Sequence, residues 1–138
     1  MKSSAFWNDL EEDLRDPEFL RAYVVESVRI ATIDAIINDL EQARAAAHIS
    51  KAALARSAGM DSAAVRRLLS ALVVNPTLGT VAEIAAPLGL RLTLEPIPEA
   101  EQIHVTTPLI SGQVADIAAL RAHLAQLRLR RHQQDDAA

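Results

Sequence analysis

Apolar residues recur every three or four positions along most of the chain, which is the pattern of amphipathic helices. The clearest stripe lies within residues 32–47 and consists of Ile33, Ile36, Ile37, Leu40, Ala43 and Ala47. The same spacing predicts further helices over residues 4–14, 17–30, 51–58, 62–72, 77–88 and 112–131. We therefore expect a mainly α fold.

Residues that favour helix ends mark the boundaries of the central helices. Ser50 is the expected N-cap of the helix over 51–58, and Gly59 ends that helix where a left-handed residue costs least. Asp61 or Ser62 is expected to cap the following helix, and Thr77 the next. The pattern predicts two short helices joined by a tight turn.

The residues after these helices follow a different period. From Leu90 to Glu95 apolar and polar side chains alternate, which predicts one short, half-buried strand. Pro96 and Pro98 close this strand, and residues 96–110 have the features of a linker.

The composition excludes several classes of protein. The 138 residues allow one small domain with arms, and the chain has no cysteine for disulfides, cysteine-bound zinc or thiol catalysis. No apolar stretch approaches the roughly 20 residues of a membrane span. The first residues lack the apolar run of a signal peptide, so we expect a cytoplasmic protein with no membrane partner.

The polar residues indicate no catalytic chemistry. Glu11, Glu12 and Asp13 are consecutive and point in different directions around a helix, so no pair suits acid–base catalysis. The four histidines share no ligand spacing, and no glycine-rich phosphate loop is present. We expect no enzymatic activity, metal, cofactor or small-molecule substrate.

Charge is segregated along the chain, whose net charge is −4. Residues 1–31 carry seven acidic and four basic side chains, a net charge of −3. Residues 48–75 carry a net charge of +3, from Lys51, Arg56, Arg66 and Arg67 against Asp61 alone. A local basic face, rather than the total charge, steers a protein onto phosphates.

The basic block coincides with the two short helices, an arrangement typical of a helix-turn-helix. The second helix is expected to present Ser62, Ala63, Arg66 and Arg67 to double-stranded operator DNA, and Lys51 to meet a phosphate. The predicted organisation is an N-terminal helical arm (1–31), a helix-turn-helix DNA-binding domain (32–95), and a linker with a C-terminal helix (96–138). For Arg44 we expect an internal ion pair with an acid on a neighbouring helix.

A series of motifs runs through the central region: Ala43-Arg44, Ile49-Ser50-Lys51, Leu54-Ala55, Gly59-Met60-Asp61-Ser62, Val65-Arg66-Arg67-Leu68-Leu69-Ser70, Asn75-Pro76-Thr77-Leu78 and Leu88-Gly89-Leu90-Arg91-Leu92. On these motifs residues 33–94 resemble the Xre/Cro-type DNA-binding domain, and most closely the HigA-type antitoxins of type II toxin–antitoxin (addiction) modules. The resemblance implies a five-helix, lambda-repressor-like domain. It also implies an antitoxin that binds a cognate toxin and represses its own operon.

The N-terminal arm carries every aromatic side chain of the chain and is the predicted site for a protein partner. The candidate contact residues are Phe6, Trp7, Leu10, Leu14, Phe19 and Tyr23. Aromatic anchors in an acidic segment suit a basic toxin. Packing of the same arm on its own core is the alternative.

We also expect a homodimer that reads two DNA half-sites. The candidate dimer contacts are the predicted strand and the C-terminal helix, whose apolar line is Ile117, Leu120, Leu124 and Leu127. Two alternative functions stay open at this point. One is a plain Xre-type repressor without a toxin, and the other is a protein-interaction module that has lost DNA binding.

Overall fold

The computed structural model describes residues 2–70 and 75–137, and the side chains of residues 5–70 and 75–127. These residues are mainly helical and include no strand. They form two compact units. The helix-turn-helix unit comprises residues 32–95, and the terminal unit comprises the residues up to 31 together with those from 96 onward.

The N-terminal half of the chain forms two helices, α1 (Lys2–Asp13) and α2 (Pro17–Ala46). The predicted boundary between separate helices near residue 31 is wrong, because α2 continues through it as one helix of 30 residues. The sequence Ile30-Ala31-Thr32-Ile33 contains neither glycine nor proline, so nothing there interrupts the backbone hydrogen bonds.

The helix-turn-helix unit contains the second half of α2, then α3 (Lys51–Ala58), α4 (Ser62–Leu69) and α5 (Leu78–Ala85). A 3-10 turn over Ala86–Leu88 follows α5. The implied five-helix count is therefore not matched by the described residues. The sequence predicts a helix that continues to Leu88, but α5 ends at Ala85. Pro87, which lacks an N–H donor, lies in the 3-10 turn that follows. The predicted end of the second short helix at Leu72 lies outside the described residues.

The predicted caps of the central helices are confirmed. Ser50, Asp61 and Thr77 each accept a backbone N–H bond from the first turn of the helix that they precede. Gly59 has a left-handed backbone with φ of 67° and ends α3. The core between the helices consists of Ile37, Leu40, Leu54, Ala55, Val65, Leu68, Leu69, Val81, Ile84 and Ala85.

The predicted strand from Leu90 to Glu95 is not formed within the single chain. Residues 90–95 are exposed and form neither strand nor helix, and Leu94 is 98% exposed. A strand requires a partner, and the described residues contain no second strand to provide one. The predicted linker is also more ordered than expected, since it contains α6 (Glu99–Gln102) and α7 (Thr106–Ser111).

The terminal unit is built on its own apolar core, which α8 (Ile117–Ala137) helps to form. Its buried members are Leu14, Leu20, Val24, Val105, Leu120 and Leu124, and Ile117 and Leu127 pack against them. The apolar line of α8 is therefore covered within the chain. No described helix is both long enough and apolar enough to cross a membrane.

Candidate nucleic-acid interface

The helix α4 separates its apolar and basic side chains onto opposite faces. Val65, Leu68 and Leu69 are buried in the core of the helix-turn-helix unit. Ala63, Arg66 and Arg67 are exposed. Because successive residues of a helix turn by about 100°, this division follows directly from the order in which the residues occur.

The two arginines of α4 keep their charges available for a ligand. Within the described part of the chain neither Arg66 nor Arg67 forms an ion pair. The hydroxyl of Ser70 donates to the backbone carbonyls of both residues at 2.7 and 3.2 Å, which completes the last turn of the helix. Two uncompensated guanidinium groups at the surface suit bidentate binding of phosphate or guanine.

The structure does not place Ser62 on this exposed face. Its Oγ atom is shielded from solvent and has no hydrogen-bond partner among the described residues. The N-terminus of α4 is capped instead by the Asp61 carboxylate, which accepts from the Ala63 N–H at 3.4 Å. A carboxylate at that position disfavours a phosphate there, so Ala63, Arg66 and Arg67 form the accessible part of the predicted set.

Lys51 is the first residue of α3 and is half-buried. The N-terminus of α3 is capped by a neutral hydroxyl, since Ser50 Oγ accepts from the Ala53 N–H at 3.0 Å. This helix end therefore carries no negative cap, in contrast to α4, and Lys51 adds a positive charge beside it.

An ion pair at the end of α2 lies close to Lys51. The hydrogen bonds from Arg44 lower the pKa of the Glu41 carboxyl below its ordinary value of 4.5. Partial burial opposes this shift, and the charges of Arg44 and Lys51 reinforce it. The predicted ion pair of Arg44 thus exists, but its acid is on the same helix rather than on a neighbouring one.

The turn between α3 and α4 is fixed by backbone hydrogen bonds. Gly59 N–H donates to the Arg56 carbonyl at 3.2 Å, and Met60 N–H donates to the Ala55 carbonyl at 2.8 Å. This pair of bonds is the Schellman arrangement, which satisfies carbonyls at the end of α3 and sets the path into α4.

The terminal unit carries a second exposed surface at Phe6 and Trp7. Phe6 is 62% and Trp7 is 42% exposed, and their rings meet edge to face with centroids 5.2 Å apart. The guanidinium carbon of Arg121, on α8, lies 3.9 Å from the Trp7 ring centroid. Arg121 also lies 3.7 Å from the Glu11 carboxylate. Helical periodicity gives no sign of this role for Arg121, because only the fold brings it to residues so distant in sequence.

The other predicted contact residues of the arm are less accessible. Leu14 is 1% exposed and belongs to the core, and Leu10 and Tyr23 pack against that core. Phe19 is 38% exposed and stacks on Tyr23 with ring centroids 6.4 Å apart. Packing on the chain's own core thus accounts for part of the arm, and Phe6 and Trp7 are its most exposed aromatic residues.

The described residues contain no group of three histidine, cysteine or acidic side chains that could hold a metal ion. The fold does bring together two of the four scattered histidines, His104 and His123, whose rings stack at 4.9 Å. A pair of rings in this arrangement is not a metal site by itself.

Comparison with known proteins identifies the class of the central region. Residues 40–94 match the family model HTH_3, helix-turn-helix. This part of the chain is similar to the helix-turn-helix domains of the Xre family, a family of DNA-binding transcriptional regulators. Searches of curated proteins and of solved structures found no significant match.

Proposed function

We propose that the chain is a repressor that binds operator DNA through α4, which enters the major groove. The observation that carries this proposal is the exposed pair Arg66 and Arg67, opposite a buried apolar face and without ion pairs in the described part of the chain. Ala63, which is small and exposed, lets the start of the helix come close to the bases.

The N-terminus of α3 provides the phosphate contact in this proposal. Lys51 supplies the charge, and the first backbone N–H groups of α3 point toward the same position. A phosphate held there fixes the register of α4, since contacts to the backbone of DNA position a protein and contacts to bases specify the sequence. Two copies of the chain read two half-sites about one DNA turn apart.

Substitution of both recognition arginines tests the DNA-binding proposal. We expect Arg66→Ala with Arg67→Ala to weaken binding to the DNA upstream of the chain's own reading frame by about 1–3 kcal/mol for each arginine that reads a base. Arg15→Ala, which removes an exposed arginine of the terminal unit, is the control and keeps wild-type affinity. Gel-shift titration measures the affinities, and circular dichroism checks the fold. Wild-type affinity in the double variant would contradict the assignment of α4.

We further propose that the repressor is an antitoxin and that Phe6 and Trp7 bind its toxin. Two observations support this role: the exposed aromatic pair and the net charge of −3 over residues 1–31. A toxin that acts on RNA is basic, because its substrate is a polyanion, so complementary charges speed their encounter. Exposed aromatic rings then supply the anchoring area. A repressor without a toxin is the second candidate, and it leaves this aromatic pair without a partner.

Co-expression with the neighbouring gene tests the antitoxin proposal. We expect the wild-type chain to relieve growth arrest caused by the neighbouring product and to co-purify with it. Phe6→Ala with Trp7→Ala loses both effects, whereas Val25→Ala, at an exposed apolar position on α2, keeps them. A neighbouring product without toxicity favours the plain repressor. If the variant with Phe6→Ala and Trp7→Ala still co-purifies fully with the neighbouring product, the partner site lies elsewhere.

A further inference from the structure

The segment from Arg91 to Glu95 is complementary to itself in charge. It reads basic, apolar, polar, apolar, acidic, with Thr93 at its centre. When two copies of such a segment run antiparallel about a two-fold axis at Thr93, Arg91 of each copy faces Glu95 of the other. In the same register Leu92 of each copy faces Leu94 of the other.

This segment is unpaired within a single chain. The backbone N–H groups of residues 91–95 have no hydrogen-bond partner among the described residues. The side chains of Arg91 and Glu95 form no ion pair within the same part of the chain. Leu94 is almost fully exposed. Free backbone groups beside exposed leucines are a template for pairing with another chain.

We propose that residues 91–95 of two copies pair as an antiparallel two-stranded ribbon, which joins two helix-turn-helix units in a dimer. This inference rests on the proposed DNA binding and deepens it, since only a dimer carries two α4 helices to one operator. The period-two pattern of the sequence then has its explanation in the dimer, because the partner strand comes from the second copy.

Pro96 determines which backbone groups face the partner. In this register residue 96 lies opposite Leu90 of the other copy, and proline has no N–H to donate. Pro96 must therefore belong to a pair of facing residues that exchange no backbone hydrogen bonds. Such pairs alternate along an antiparallel ribbon with pairs that do exchange them. Arg91, Thr93 and Glu95 consequently occupy the hydrogen-bonded positions. The ribbon then contains about six interchain backbone hydrogen bonds.

The leucines provide the second contribution to the ribbon. Leu92 of one copy meets Leu94 of the other at the non-hydrogen-bonded positions, where facing side chains lie closer together. The leucines of both copies therefore form one apolar face. A two-stranded ribbon alone is marginally stable in water, and burial of these leucines provides the additional stabilisation. The segment also begins from a fixed point, since Leu90 N–H donates to the Ala85 carbonyl at 3.0 Å.

Charge reversal tests both the ribbon and its register. Arg91→Glu alone or Glu95→Arg alone creates two like-charged pairs in each dimer, and we expect each variant to raise the dimer Kd roughly tenfold. The variant that carries both Arg91→Glu and Glu95→Arg restores attraction at both facing pairs, and we expect it to recover the wild-type Kd. An equimolar mixture of the two single variants forms a heterodimer tighter than either homodimer, because every facing pair is then Glu against Arg.

Sedimentation velocity of the full chain without DNA measures these constants. Arg56→Glu and Glu83→Arg, at exposed positions on α3 and α5, make the same charge changes as controls and leave the Kd unchanged. A wild-type chain that stays monomeric overturns the proposal and leaves the segment as a docking site for a different protein. Failure of both the double variant and the mixture to recover dimerisation overturns it as well.

The dimer assay is independent of the test of DNA binding. It contains no DNA, so loss of the dimer leaves the role of α4 open to measurement with a single half-site. Failure of the proposed function instead appears as wild-type DNA affinity after substitution of Arg66 and Arg67. The two results are therefore distinguishable.

Discussion

Arg44 and Glu41 form a two-point ion pair one turn apart on α2. Arg44 Nε lies 2.9 Å from Glu41 Oε2, and Arg44 Nη2 lies 2.6 Å from Glu41 Oε1. The third nitrogen, Nη1, donates to the backbone carbonyl of Ile49 at 2.7 Å. One side chain thus connects the last turn of α2 to the loop that leads into α3.

Replacement of Arg44 is expected to destabilise the helix-turn-helix unit. Arg44→Ala removes the ion pair and leaves the Ile49 carbonyl without its side-chain donor, at a cost of about 1–2 kcal/mol. Arg44→Lys keeps the charge but cannot make the two-point contact, so its loss is smaller. Urea unfolding followed by circular dichroism measures both. An unchanged midpoint for Arg44→Ala would show that the contact contributes nothing.

The same ion pair predicts a pH dependence of stability. The pKa of Glu41 is lower in the folded chain than its ordinary value of 4.5, chiefly through hydrogen bonds from Arg44. The stabilisation is therefore present above about pH 4.5 and is lost as the pH falls through the lower, folded pKa. We expect wild type to exceed Glu41→Gln in unfolding free energy by less than about 1 kcal/mol at neutral pH.

Urea unfolding of both proteins at several pH values measures this difference. Glu41→Gln is the matched reference, because it keeps the shape of the side chain and does not titrate. The difference is expected to be constant at neutral pH and to shrink in acid. A difference that grows as the pH falls would have the wrong sign for this ion pair.

The end of α2 holds a backbone strain that a single substitution relieves. His48 is the one described residue other than glycine with positive φ, at 57°. Its N–H donates to the Ala45 carbonyl and the Ile49 N–H to the Arg44 carbonyl, which is again the Schellman arrangement. We expect His48→Gly to stabilise the chain by about 0.5–1 kcal/mol. His48→Ala keeps the strain and is the control. Equal melting temperatures for the two variants would contradict this origin of the effect.

Local features of the fold could be predicted from the sequence, whereas pairings between distant segments could not. Ser50, Gly59 and Thr77 act within a few residues of their own positions, so their roles as caps followed from the sequence alone. The pattern at Leu90 to Glu95 identified a segment suited to a strand. Whether a strand forms depends on a partner strand, and the described residues of a single chain contain none.

The candidate sites show the same division. The outward direction of Arg66 and Arg67 followed from their spacing against the apolar residues of α4. The burial of Leu14 and the position of Arg121 over Trp7 depend on the packing of α8 against the N-terminal helices. These contacts join residues about a hundred positions apart, so helical periodicity carries no information about them.

Gly112 occupies a crowded position with φ of 74°. A Cβ atom there would lie 2.9 Å from Arg21 Nη2 and 3.0 Å from Pro17 Cβ. Arg21 donates to the carbonyls of Leu109 and Ile110, so displacing its guanidinium breaks bonds at the end of α7. We expect Gly112→Ala to cost about 1–2 kcal/mol or more.

Gly79 provides the contrasting control for that substitution. It lies within α5, and a Cβ atom would meet only Thr77 Oγ1, at an ordinary distance of 3.9 Å. Gly79→Ala is expected to stabilise the chain by about 0.5–1 kcal/mol, because alanine favours a helix. Thermal unfolding of the two variants measures both effects. Opposite signs are expected, and destabilisation by both would point to a cost of any added methyl group.

Trp7 is the only tryptophan of the chain and reports on the position of α1 through its fluorescence. Arg121 covers one face of its ring and is itself about one-fifth exposed. A cation over tryptophan in such a half-buried setting contributes about 0.5–2 kcal/mol. We therefore expect Arg121→Ala to shift Trp7 emission to longer wavelength and to increase its quenching by acrylamide. Arg15→Ala, at an exposed position outside this contact, keeps the wild-type spectrum. An unchanged spectrum in Arg121→Ala would show that the guanidinium does not shield the Trp7 ring from solvent.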